Sequence, residues 1–147
     1  MLKSVLKLFI SIVMFLALSS CSKVKSDKYL EKTLKIEVFK NVGGVIKLNK
    51  IDHFKWDRLL ILPPYTPIEK TESLLNLDLG PIKHSGIDRR DDINQLIFFD
   101  GDIIERMVEY PIGHGDFSTI SKIEMINRSN ARFKVTKKDD WIFIEHY

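Results

Sequence analysis

The sequence predicts an α+β domain, with an N-terminal helix followed by an antiparallel sheet of about five strands. Three observations predict this class. Apolar residues recur at helical spacing over residues 29–41, and a continuous apolar run at residues 59–62 indicates a buried strand. Residues 93–110 and 132–146 each read as two strand-like runs joined by a polar turn. A helix first and hairpins later favour α+β over an alternating α/β arrangement.

The predicted N-terminal helix spans residues 29–41. Its apolar stripe, at i, i+4 and i+8, consists of Leu30, Leu34 and Val38. Gly43 and Gly44 follow, and glycine after the last turn is a common helix terminator. Alternation within residues 35–39 leaves a strand open as the alternative for this segment.

The first predicted central strand begins with alternating apolar and polar residues and ends at two prolines. Phe54 and Trp56 alternate with polar residues before the apolar run 59–62, a pattern that indicates a strand buried on both faces at its end. Pro63 and Pro64 end the strand, because proline donates no hydrogen bond to a sheet.

A short capped helix is predicted next, over residues 67–76. Thr66 is placed to cap the helix, Pro67 suits the first helical position, and Glu69 stands where a capping box has its acid. The residues expected to pack on the sheet are Ile68, Leu74 and Leu75.

The later part of the domain is predicted to be a loop and two hairpins. Residues 78–92 are rich in turn-forming and charged residues and read as the loop. Strands over 93–99 and 103–110 are joined through the turn at Gly101. In the last hairpin, residues 132–136 and 141–146 flank a polar turn. The alternating positions expected in its core are Phe133, Val135, Trp141 and Phe143.

The first twenty residues are typical of a secretory signal peptide. Lys3 and Lys7 make a basic start, residues 8–18 form an apolar stretch of eleven residues, and Ser19 and Ser20 are small. A membrane-spanning helix is the competing interpretation, but it needs about 20 apolar residues.

The end of this segment, Leu18-Ser19-Ser20-Cys21, resembles the lipobox of bacterial lipoproteins. The resemblance implies a diacylglyceryl group on the Cys21 sulfur, cleavage before Cys21, and attachment to a membrane outside the cytoplasm. Ser22, where aspartate would imply retention at the inner membrane, favours the outer membrane in a two-membrane organism. An ordinary signal peptide with an incidental cysteine is the alternative.

Cleavage would leave residues 21–147, predicted to comprise a lipidated tether at 21–28 and one globular domain at 29–147. Cys21 is the single cysteine, so a lipidated mature chain has no free thiol for a disulfide or a nucleophile. Without Lys3 and Lys7, 21 of the 23 basic residues remain against 20 acidic ones. This near-neutral balance argues against nucleic acid as a partner.

The segment at residues 56–66, Trp-Asp-Arg-Leu-Leu-Ile-Leu-Pro-Pro-Tyr-Thr, also resembles a pattern of small bacterial lipoproteins. In that pattern a Trp-Asp pair leads an apolar strand into a Pro-Tyr-Thr turn and a helix. The likeness extends loosely to the later hairpins. It implies a family and no activity.

No motif of the sequence points to a reaction. The four histidines, His53, His84, His114 and His146, lack zinc-ligand spacing, and no calcium loop, phosphate loop or nucleophile elbow is present. We therefore predict no metal, no cofactor and no catalytic residue.

We predict instead a lipid-anchored, non-catalytic module that binds an envelope protein. Two loops, 78–92 and 111–118, are long or glycine-rich enough to present binding groups. The candidate rim consists of His84, Arg89, Arg90, His114 and Asp116. A small periplasmic hydrolase or ligand-binding protein that uses the same loops is the alternative.

Overall fold

The computed structural model describes residues 22–119 and 122–147. Within them lie two α-helices, α1 (Lys28–Lys40) and α2 (Ile68–Leu75). The strands are β1 (Val45–Lys47), β2 (Arg58–Leu62), β3 (Ile93–Asp100), β4 (Ile103–Pro111), β5 (Met125–Asn127), β6 (Arg132–Lys138) and β7 (Trp141–His146). The predicted α+β class is confirmed, although seven strands form where about five were expected. Cys21 and the predicted signal peptide lie outside the described residues.

The strands form two antiparallel sheets. A four-stranded sheet has the order β4-β3-β2-β5, and a three-stranded sheet has the order β1-β6-β7. β3 is buried from Ile93 to Phe99, so both faces of the larger sheet are covered. The predicted double-sided burial of β2 is confirmed for the same reason.

Two hydrophobic cores lie on opposite faces of the four-stranded sheet. The first core joins this sheet to α1 and to the three-stranded sheet, and it includes Leu34, Trp56, Phe98, Phe117 and Phe133. The second core lies under α2 and the following turns, and it includes Leu60, Ile68, Ile82, Ile97 and Phe99. Adjacent strand residues point to opposite faces, which is why Phe98 and Phe99 enter different cores.

Helix α1 matches its prediction closely, and the alternative strand is wrong. The predicted stripe of Leu30, Leu34 and Val38 is buried. Asp27 caps the helix, since its side chain accepts a hydrogen bond of 2.9 Å from the backbone of Leu30.

Helix α2 forms, but the predicted capping box is wrong. The helix begins at Ile68 after Pro67, and no side chain caps it. Thr66 instead donates its hydroxyl to the carbonyl oxygen of Pro63 at 2.6 Å, which closes the turn after β2. Ile68 is buried as predicted, whereas Leu74 is 71% exposed because it lies on the outer side of the helix.

Residues 78–92, predicted to be a loop, contain two short 3₁₀ helices, Gly80–Ser85 and Ile87–Arg89. Ile82 and Ile87 bury their side chains in the second core. The segment therefore covers one face of the larger sheet.

Both predicted hairpins form, but one face of the last strand is reversed. Gly101, at a φ of 59°, makes the β3–β4 turn as expected. In β7 the buried residues are Ile142 and Ile144, while Trp141 is 54% exposed. The turn falls at 139–140, so β6 and β7 pair up to Lys138 and Trp141, and Trp141 faces away from the core.

Residues 24–27 of the predicted tether are bound to the domain. We call residues 24–27 the N-terminal strap. Val24 donates its backbone N–H to Pro81 at 3.0 Å, and Asp27 donates to Met107 at 2.8 Å. The Ser26 hydroxyl accepts from the Glu109 backbone at 2.9 Å, so the strap covers the edge of β4.

Across the described ranges, no helix has the length and apolar character needed to cross a bilayer.

Candidate functional site

An open cleft lies between the first turn of α2 and the two 3₁₀ helices. Its volume is about 410 Å³, and it is lined by residues 67–70 together with Lys83, Asp88 and Arg89. The residues that follow β2 determine its shape, because the two prolines stop the strand and turn the chain towards α2. One predicted rim residue, Arg89, therefore lies in a concave surface.

Tyr65 stands beside this cleft and was missed by the sequence analysis. It is 59% exposed, and its φ of 59° is in the left-handed region, which is strained for a bulky residue. Its backbone N–H donates to the carbonyl oxygen of Arg90 at 3.1 Å, which ties this turn to the second 3₁₀ helix. Residues in sparsely populated backbone regions concentrate at functional sites. The signal in the sequence is an aromatic residue among prolines, where no strand or helix period continues.

The charges of the cleft are mixed, with an excess of one positive charge. The charged residues of the lining are Lys70, Lys83, Arg89, Glu69 and Asp88. Of these, Lys70 is exposed, and the Arg89 side chain is 81% exposed with its Nε 3.6 Å from Asp88. The cleft therefore presents the cationic groups of Lys70 and Arg89 to solvent.

Lys83 is positioned by an ion pair outside the cleft. Its Nζ lies 2.9 Å from Glu72 on α2, and the hydrogen bond that it donates to that carboxylate raises the pKa of Lys83. Glu72 also accepts from the backbone of Leu79 at 2.8 Å. The pair thus joins α2 to the first 3₁₀ helix and stabilises the two walls relative to each other.

Arg90, the next predicted rim residue, forms ion pairs within the domain. Its guanidinium donates twice to Asp92, at 2.8 Å each, and once to Glu109 on β4 at 3.2 Å. Asp92 raises the pKa of Arg90, which in turn lowers the pKa of Asp92. A bidentate pair of this kind restricts the guanidinium. Arg90 is therefore committed to the fold.

His114 and Asp116 lie on the other face of the larger sheet. Asp116 exchanges backbone hydrogen bonds of 2.8 Å with Ile142 and Ile144 of β7. Its carboxylate accepts from the Asn94 amide at 3.2 Å and from the Ser118 backbone at 2.8 Å. The aspartate thus attaches its loop to both sheets.

His114 is partly buried near α1. Burial lowers the pKa of its imidazole, and Lys35 lowers it further. Its Nδ1 is buried without a hydrogen-bond partner among the described atoms, and its carbonyl oxygen accepts from the Tyr110 hydroxyl at 3.0 Å. Burial also raises the pKa of Tyr110.

The predicted five-residue rim is therefore not one surface. His84 and Arg89 belong to the segment that covers the second core, whereas His114 and Asp116 pack beside the first. His84 is exposed and follows a cleft residue, but it does not line the cleft. Two further clefts, of about 240 and 220 Å³, are lined by neither His84 nor His114.

Metal ligands do not converge in the described part of the chain. No group of three or more His, Cys, Asp or Glu side chains among residues 22–119 and 122–147 could hold a metal ion.

The chain matches no protein-family model, and comparison with curated proteins and with solved structures finds no match.

Proposed function

We propose that this chain is a lipid-anchored protein of the cell envelope whose folded domain binds another protein without catalysing a reaction. In a two-membrane organism, it would face the periplasm from the outer membrane. The observation that carries the binding role is the exposed Tyr65 beside the cleft of about 410 Å³.

The composition of this surface supports protein recognition. Tyrosine and arginine are enriched among the residues that dominate binding energy at interfaces, and Tyr65 and Arg89 are both exposed here. Tyr65 is also held in place by its backbone bond to Arg90, so little conformational freedom of the turn is lost on binding. We call Tyr65, Lys70 and Arg89 the recognition surface.

The sequence of residues 1–21 supports the anchor. A basic start, an apolar stretch too short to cross a bilayer, and small residues before Cys21 occur in the order of a lipoprotein signal. Two or more acyl chains on one cysteine would bind a membrane durably, since each buried methylene contributes about 0.8 kcal/mol.

Replacement of Cys21 tests the anchor. In a bacterial host with a lipoprotein pathway, Cys21→Ala should abolish labelling by a clickable palmitate analogue and leave the precursor uncleaved before residue 21. Ser22→Ala is the matched control and should be labelled and processed like the wild type. Equal labelling of the Cys21→Ala chain would contradict the anchor.

Site-specific crosslinking tests the recognition surface. A photoreactive phenylalanine at position 65 should yield a discrete protein adduct in intact cells, and Arg89→Glu should reduce its yield at least about fivefold, as expected for one interface arginine. The same probe at position 141, exposed on the other sheet, is the control and should not yield that adduct. Lys137→Glu, a charge reversal on β6, should leave the yield unchanged. Adducts of equal yield from both positions, or none from position 65, would contradict the proposal.

A further inference from the structure

The outward side of α1 has an unusual composition. At 3.6 residues per turn, seven residues fall within an arc of about 140° opposite the buried stripe. We call them the outer face of α1: Lys28, Tyr29, Lys32, Lys35, Ile36, Phe39 and Lys40. Three of them are large apolar residues that are 73%, 44% and 50% exposed, namely Tyr29, Ile36 and Phe39. The other four are lysines, so the face combines exposed apolar surface with positive charge only.

The acids of this helix lie at the margins of that face. Glu31 pairs with Lys28 at 2.9 Å. Lys32, Lys35 and Lys40 form no ion pair with any other described residue, which leaves three net positive charges on the face. The Lys35 ammonium lies 5.9 Å from the centre of the Phe39 ring, so a charged and an apolar group lie side by side on the face.

This composition fits the interface between lipid headgroups and acyl chains. Lysine side chains extend their apolar stems along a membrane surface and keep the ammonium group among the headgroups. Aromatic and aliphatic residues beside them insert into the headgroup boundary, and the lysines bind anionic lipids. A solvated helix face ordinarily carries acids as well, and here none lies within the arc.

The strap connects this face to the proposed anchor along the chain. Helix α1 begins at Lys28, directly after the strap, and Val24 is hydrogen-bonded to the domain. Val24 is three positions after Cys21 in the chain, and an extended chain spans at most about 10 Å over that length. A lipid on Cys21 would therefore hold the domain about as close to the membrane as the Debye length of about 8 Å.

We propose that the outer face of α1 docks on an anionic phospholipid surface and orients the anchored domain against the membrane. The inference rests on the proposed lipid anchor, to which it adds a second, weaker contact. Because one acyl signal and one basic surface together bind more durably than either alone, the two act additively.

Vesicle binding by the unlipidated chain tests the docking surface separately from the anchor. The chain of residues 22–147, which contains every described helix and strand, lacks Cys21 and carries no lipid. It should sediment with vesicles of equal parts phosphatidylcholine and phosphatidylglycerol, sediment less at high salt, and remain free with phosphatidylcholine alone. Lys32→Glu with Lys40→Glu should weaken binding at least about 25-fold, since each lysine near such a surface contributes about fivefold.

Two pairs of variants separate the outer face from general surface effects. Ile36→Ser with Phe39→Ser should also weaken binding, because it removes exposed apolar area. The matched controls Leu74→Ser, on α2, and Lys137→Glu with Lys138→Glu, on β6, should bind like the wild type. Circular dichroism melting establishes that each variant is folded. If the variant with Ile36→Ser and Phe39→Ser is not folded, the test depends on the variant with Lys32→Glu and Lys40→Glu, which changes two exposed side chains.

Three results would overturn the inference: no vesicle binding by the wild type, equal binding to uncharged vesicles, or equal losses in the controls. Self-association of the wild type that is lost in the outer-face variants would assign the face to a second copy of the chain. Vesicle binding without lipid on Cys21 in cells would contradict the anchor alone. Lipid on Cys21 without vesicle binding would contradict this docking surface alone.

Discussion

At the scale of single residues, two buried amides on β3 hold the loops on either side of the sheet. Asn94 and Gln95 are both fully buried, and as strand neighbours they point to opposite faces. Asn94 donates to Asp116, and Gln95 accepts a hydrogen bond of 3.0 Å from the Ser85 hydroxyl. A buried polar group without a partner costs about 1–3 kcal/mol, so these bonds restrict where each loop lies.

The position of the loop at Gly115 depends on close packing against β7. Its φ is 140°, and a Cβ atom added there would lie 2.6 Å from the Cδ1 of Ile144. We predict that Gly115→Ala lowers the free energy of unfolding by about 1–3 kcal/mol, because the added methyl group overpacks the contact with β7. Urea titration measures the loss.

Gly113 provides the matched control two residues away. An added Cβ there meets nothing within 4 Å, and the residue is exposed. Gly113→Ala should therefore change the free energy of unfolding by no more than about 0.5 kcal/mol. Equal effects at both positions would contradict the assigned packing of the loop against β7.

At the scale of elements, the two tryptophans have opposite environments although both were expected in a core. Trp56 is 2% exposed, and its indole N–H donates to the carbonyl oxygen of Ile51 at 2.9 Å. Its ring packs edge-on against Phe98, with centres 5.1 Å apart. Trp141 lies on the solvent side of β7, because the hairpin turn places Ile142 in the core instead.

Alanine substitutions should separate these two environments. Trp56→Ala should lower the free energy of unfolding by about 3–5 kcal/mol, since it removes a large side chain from a packed core. Trp141→Ala should lower it by no more than about 0.5 kcal/mol. Thermal and urea unfolding of both variants measure the difference, and a large loss at Trp141 would contradict the face assigned to β7.

At the scale of the whole molecule, the larger sheet separates the two surfaces that we propose to be binding surfaces. One side carries α1 with its basic and apolar outer face, and the other carries the cleft beside Tyr65. The strap connects them around the β4 edge, from Pro81 on the cleft side to α1 on the other. An anchor at Cys21 would therefore be attached to both surfaces through a short, hydrogen-bonded segment.

Removal of the strap should destabilise the whole domain. A chain that begins at Lys28 loses three hydrogen bonds to the rest of the fold and the Asp27 cap, for which we expect a loss of about 2–4 kcal/mol. The exposed edge of β4 should also promote association between molecules. Urea unfolding and light scattering measure the two effects.

A chain that begins at Val24 retains those bonds and is the control. It should unfold at the same urea concentration as the chain of residues 22–147. If the chain that begins at Lys28 also unfolded at that urea concentration, the strap would contribute nothing to stability and would act only as a tether.

Much of the candidate site depended on contacts that sequence spacing does not encode. Arg89 was predicted to be exposed and lies in the cleft, but its neighbour Arg90 forms ion pairs with Asp92 and Glu109. Glu109 is nineteen positions away in the chain, so this pairing arises only once β4 lies beside the loop. Tyr65 had no periodic pattern to mark it, and its exposure follows from the turn geometry.

The sequence by itself determined the α+β class, the buried stripe of α1 and the β3–β4 hairpin, because helical spacing and turn residues act over a few neighbouring positions. Only the tertiary structure decided which face of β7 is buried, where α2 begins and that the loops divide between two cores. Alternation shows that every second residue shares a face, but the partner strand determines which face meets the core. Although β7 pairs with its neighbour β6, Ile144 packs against the loop at Gly115, which is distant in the chain. The contacts that separate His84 from His114 are likewise distant in the chain.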